Sequence, residues 1–125
     1  MKSPMELVSL APDERRALTA LLGALRKRFP DTINRVVLFG SKSRGDSDSE
    51  SDIDLLIVVN DYSWALEKEI SRLATQVDYE YQVVVSDHIV SDTRFEQMAA
   101  RREPLYCHIE REAIDLWKPE VASII

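Results

Sequence analysis

A chain of 125 residues with 45% hydrophobic and 30% charged content suits one compact domain with a core of its own, and two large domains would not fit. The net charge is -6 and there is no long Lys/Arg-rich run, so nucleic acid is a poor candidate partner: affinity for its phosphates comes mostly from cations. The single cysteine, Cys107, excludes an internal disulfide and has no Cys/His companions at zinc spacing, so it reads as a buried small hydrophobe in a reducing compartment.

The opening MKSPMELVSLAPDE lacks the uninterrupted apolar core of a signal peptide, and no run approaches the roughly 18 apolar residues of a membrane span; a cytoplasmic setting without membrane contact is expected. The first periodic segment predicts a helix over 12–29. Ala17, Leu18, Leu21, Leu22, Leu25 and Phe29 recur at three- and four-residue steps, Pro12 suits the first turn, and Pro30 ends the run. A strand follows in INRVVLFG and another in Ile53 to Val59, both apolar enough to be buried on most of their surface, so 34–59 reads as strand, turn, strand. Helical spacing returns over 62–77 with Trp64, Leu66, Ile70, Leu73, Ala74 and Val77. A third strand is expected over 79–86, helices over 92–112 broken at Pro104, and a short strand over 113–117. The whole, 1–125, reads as a single α/β domain.

Between the first two strands lies GSKSRGDSDSESDID, Gly40 to Asp54. As a solvated acidic loop it would be unremarkable over Ser47 to Ser51, but Asp52 and Asp54 carry the acidity into a hydrophobic strand. Side chains two apart on a strand share a face, which sets these carboxylates about 6 to 7 Å apart, a spacing suited to a divalent cation between them. An EF-hand fails on its own terms. Counting from Asp46, Ser51 stands where the sharp turn needs glycine, and Ile57 stands where a bidentate glutamate is needed. A third reading uses the whole stretch. Gly40 permits close approach of a ligand, while Ser41 with Lys42 or Arg44 and the backbone N–H groups of a short helix would favour phosphate oxygens. Phosphate and metal would then lie side by side, as nucleotidyl transfer requires.

Ser41, ten intervening residues, Asp52, one residue and Asp54 reproduce the signature of the DNA polymerase β-like nucleotidyltransferase superfamily, and LFGSKSRGDSDSESDIDLLIVV resembles its minimal single-domain members. The resemblance implies a small mixed β-sheet with helices packed on one side. It implies Mg²⁺, as two ions, at Asp52 and Asp54, with ATP as substrate held by Gly40, Ser41, Lys42 and Arg44. It also implies a third carboxylate on the later strand, where the family position falls on Gln82. Glutamine cannot bind a metal as an anion, so Glu80, one same-face step earlier, is the candidate third catalytic acid and metal ligand, with Asp78 behind it.

A chain of this length has no room for the primer- or tRNA-binding domains of the large relatives. Minimal members resemble antitoxins paired with small helical HEPN-domain ribonucleases, some of which receive AMP on a tyrosine, so the implied acceptor is a protein hydroxyl. A small-molecule acceptor and a catalytically decayed antitoxin that works by occlusion are the alternatives. His88 and His108 read as surface or capping residues, Trp64 and Trp117 as packing residues, and Arg26, Lys27 and Arg28 as a solvated helix end. The tail VASII could dock on the domain, mediate a homo-oligomer or contact a partner.

Overall fold

Strand β2 (Ile53–Val59) occupies the middle of the sheet because its residues are apolar on both faces almost throughout, a pattern only a covered central strand supports. In the computed structural model, which describes residues 10–44 and 52–117, it pairs antiparallel with β1 (Ile33–Phe39) and parallel with β3 (Val85–Ser91). The short β4 (Ile114–Asp115) adds antiparallel to the far edge of β1, giving the order β3-β2-β1-β4. The chain is thus an α/β fold with a four-stranded mixed sheet.

Helix α1 (Pro12–Arg28) and helix α3 (Trp64–Tyr81) cover one face. From α1, Leu18, Leu21, Leu22 and Leu25 meet Val36, Leu38, Ile53, Leu55 and Ile57, with Ile70, Ala74 and Val77 of α3 closing the layer. Helix α3 is the crossover that a parallel β2/β3 pair demands, and Ser63 starts it by accepting the Leu66 N–H at 3.0 Å. Two further helices, α4 (Asp92–Ala100) and α5 (Pro104–Glu112), lie on the opposite face, where Ile109 and Phe95 pack with Val37, Leu56, Val58 and Val90. Helices therefore cover both faces, not one as the family resemblance implied. Among the described residues, no helix is long and apolar enough to cross a membrane.

The expected strand over 79–86 is corrected. Helix α3 continues to Tyr81 and ends where Gln82 takes the left-handed conformation (φ 57°, ψ 47°), its side-chain amide donating to the Tyr79 carbonyl at 2.8 Å. The alternation of DYEYQ mimics a strand, but two residues along a helix point to nearly opposite sides, so Tyr79 is 84% exposed while Tyr81 packs on the core. Trp64 is also corrected: it stands 66% exposed, with the Lys68 ammonium 5.9 Å from its ring centre. Trp117 does pack, donating its indole N–H to Ile33 O at 3.1 Å beneath the Arg26 guanidinium. Arg26 is accordingly not a purely solvated helix end. Cys107 is only half-buried, its thiol 3.5 Å from the Arg102 carbonyl. The tail VASII lies outside the described residues.

Candidate active site

The site begins where β1 ends. Phe39 lies directly across from Asp54 in the antiparallel register, so both side chains stand on the face away from α1 and α3. Next comes Gly40 with φ +77°, and the chain turns into the four-residue helix α2 (Ser41–Arg44). A β-carbon on Gly40 would collide with Asp54 Oδ2 and come within 3.2 Å of its Cγ, so the aspartate carboxyl rests on the glycine backbone. Glycine is required here twice, by the left-handed conformation and by that contact. The turn is closed by Ser43, which is buried and donates both its N–H (3.1 Å) and its Oγ–H (2.8 Å) to the Gly40 carbonyl. Ser41, the first residue of α2, is half-buried beside this turn.

Asp52 is exposed immediately before β2, and Asp54 is half-buried within it. Negative charge concentrates at this end of the sheet. Burial pushes the Asp78 carboxyl above its ordinary value, and the charges of Asp87 and Asp52 add to that push against a hydrogen bond from the Val85 N–H (2.9 Å), which favours ionisation. Asp78 thus serves to tie the end of α3 to the start of β3.

Two expected site residues are elsewhere. Lys42 is not presented toward a triphosphate: its ammonium is buried in an ion pair with Glu14 of α1, Nζ to Oε2 2.5 Å, while the other oxygen of Glu14 accepts the Ala11 N–H at 2.8 Å. Glu80 stands exposed on the last turn of α3, because the helix runs on through the segment expected to be strand. It does not join Asp52 and Asp54: among the described residues no three His, Cys, Asp or Glu side chains form a group able to hold a metal ion. The side chain of Arg44 lies outside the described residues.

The third strand lies further along the chain than expected, at Val85–Ser91. Its parallel register sets Ser86 beside Asp54 and His88 beside Leu56, so Ser86 and His88 share Asp54's face. Asp87 points the other way and accepts the Ser71 hydroxyl of α3 at 2.7 Å. The imidazole of His88 meets the Phe39 ring across β2, centroids 5.6 Å apart and planes tilted by 54°, and its Nε2 lies 3.4 Å from Ser86 Oγ. The available signal was HIV, a β-forming run with two β-branched residues just beyond the segment taken for the strand.

Similarity to known proteins identifies the family. Residues 18–106 match the family model described as "Nucleotidyltransferase domain". Two chains of Methanocaldococcus jannaschii, both named "Putative protein adenylyltransferase", are 32% identical over 90 residues (71% of this chain, 84% of that one) and 33% identical over 84 residues (66% and 79%). Of two similar solved structures, one named "Structure of putative minimal nucleotidyltransferase" superposes with a TM-score of 0.50 at 30% identity, covering 80% of this chain and 90% of the other. The second, a nucleotidyltransferase-named structure from Sulfolobus solfataricus, has a TM-score of 0.50 at 20% identity over 96% and 91% of the two chains, a likeness of fold alone. With the family match extending over most of the chain and the glycine turn and aspartate strand built as described, this protein belongs to the nucleotidyltransferase domain family and is a nucleotidyltransferase.

Proposed function

We propose that the chain transfers AMP from ATP to a hydroxyl of a protein partner, a small helical HEPN-type toxin that it holds in check in the cytoplasm. The observation that carries the reading is the Asp54 carboxyl laid on Gly40 at the mouth of the α2 turn, which brings the Gly40 turn, suited to phosphate, and an acidic strand to one place. The protein adenylyltransferase names of the two relatives support a protein as acceptor.

The donor set fits Mg²⁺, which binds through one or two carboxylates and completes its octahedron with water and substrate phosphates. Asp52 and Asp54 would hold it, and when bound it would supply charge neutralisation at the α-phosphate and alignment of the attacking oxygen. The rest of the work falls to the chain. Gly40 leaves the space a side chain would fill, Ser41 offers its hydroxyl to the triphosphate, and the Ser43 bonds to the Gly40 carbonyl keep the turn closed. The acceptor oxygen then bonds to the α-phosphorus as pyrophosphate leaves.

A second reading, an antitoxin that neutralises by occlusion, is favoured by one observation: among the described residues no third acid joins Asp52 and Asp54 in a group able to hold a metal ion. The two separate in one experiment. Protein, Mg²⁺ and ATP radiolabelled at the α-phosphate are incubated with and without the small helical protein encoded beside it. Label on the partner, lost in Asp54→Asn, is the expected outcome. Absence of label with neutralisation intact in Asp54→Asn would establish occlusion instead.

A further inference from the structure

Nucleotidyl transfer needs a group to receive the proton of the attacking hydroxyl, and the acid expected for that task, Glu80, is on the wrong element. On the β2 and β3 side of the sheet face that carries Asp54, the side chains are Asp54, Leu56 and Val58 from one strand and Ser86, His88 and Val90 from the other. Only Asp54 and His88 among these ionise, and Asp54 is committed to the metal in the reading above. We propose that His88 is the proton acceptor for the attacking hydroxyl, an inference that rests on the transferase reading.

Three observations place the imidazole. It lies on the same face as Asp54, one same-face step along β3 from Ser86, Asp54's partner in register. It is held against Phe39, whose backbone leads directly into the Gly40 turn, so the His88 ring and the Asp54 carboxyl are both tied to one strand end. It is exposed, so a proton it receives can pass on to water. Among the described residues, this patch is flanked by the Asp54 carboxyl from β2, the Phe39 ring from β1 and, from the helix layer, Phe95 of α4, with the Arg35 guanidinium stacked 5.3 Å above it.

The step balances without any further reactant. The hydroxyl oxygen forms a bond to the α-phosphorus, and the bond from that phosphorus to the oxygen bridging to the β-phosphate breaks. Pyrophosphate departs with the bonding electrons. The hydroxyl proton moves to the His88 imidazole and from there to solvent.

The test compares wild type, Asp54→Asn, His88→Gln and His88→Glu as full chains with Mg²⁺ and α-labelled ATP. The acceptor is the helical protein labelled above, or water where no protein is labelled, with AMP and pyrophosphate as products. Glutamine matches the reach of glutamate but takes no proton. His88→Gln is expected to lower kcat by about 10²–10⁴-fold with KM for ATP within about twofold, and His88→Glu to recover roughly tenfold or more. The fall in rate on acidification should move to lower pH in His88→Glu, toward the carboxylate range. If Asp54→Asn is inactive while His88→Gln keeps the wild-type rate, or regains it in excess Mg²⁺, the inference is overturned and the transferase reading stands. An inactive wild type, or an active Asp54→Asn, overturns both.

Discussion

The two faces of β2 divide the labour of the molecule. Toward α1 and α3 the strand presents Ile53, Leu55, Ile57 and Val59, each fully buried in a layer of aliphatic side chains. Toward the other side it presents Asp54, Leu56 and Val58, of which only the last two are roofed by α4 and α5, leaving the aspartate at the open end beside the Gly40 turn. Alternation along one strand thus anchors Asp54 to the buried core: its neighbours Ile53 and Leu55 are fully buried, so its carboxyl is placed by packing that the site itself does not supply.

That contrast can be broken at either face. Leu55→Ala removes a fully buried side chain and should lower unfolding free energy by about 2–5 kcal/mol, whereas Asp54→Asn one position away should leave the metal-free protein as stable as before or more so. Denaturant midpoints with unchanged slopes decide this, and an equal loss from both would make the aspartate a structural residue. A smaller effect comes from the contact between the faces of the turn. Gly40→Ala must relieve both a φ of +77° and a collision with Asp54, and is expected to cost about 1–3 kcal/mol while slowing transfer by roughly 10²-fold through displacement of the carboxyl. Retained activity with an intact fold would mean that the position of Asp54 is not critical.

The smallest effect is at Asp78. Burial first, then Asp87 and Asp52, raise its carboxyl above the value it has in the unfolded chain, so the folded state holds that proton more tightly. The stabilisation this gives is present below the unfolded value and is lost as pH rises through the folded one. Asp78→Asn keeps an acceptor for the Val85 N–H without the charge, so its stability relative to wild type should increase as pH rises through that window and level off above it. A difference that does not vary with pH would show that the neighbouring charges are not felt.

The candidate site was legible where local chemistry dictates structure. The turn at Gly40 and the acidic start of β2 could be read because a left-handed turn and a charged residue in an apolar strand each break a local rule. The bounds of β2 were legible for the same reason, with apolar residues crowded between polar ones. What the sequence hid depends on contacts between distant segments. Lys42 looks like a phosphate ligand until Glu14, 28 positions earlier, is brought beside it by the packing of α1. The period of α3 persists through Tyr81, but Asp78, Glu80 and Gln82 also satisfy a period of two, and only the left-handed Gln82 shows which period applies. That shift of a few residues along the chain moved Glu80 away from the site and brought His88 onto Asp54's face.

The Glu14–Lys42 pair also sets the limits of the site as a transplantable part. The region matching the family begins at residue 18, yet the helix turn that carries Ser41 is fastened through Lys42 to a carboxylate four residues ahead of that boundary. A graft of the matched region alone would bring along a buried lysine without the carboxylate it is docked on, and an uncompensated buried charge is among the most disruptive features a graft can carry. The smallest portable form of this candidate site therefore starts no later than Ala11, whose N–H holds Glu14 in place.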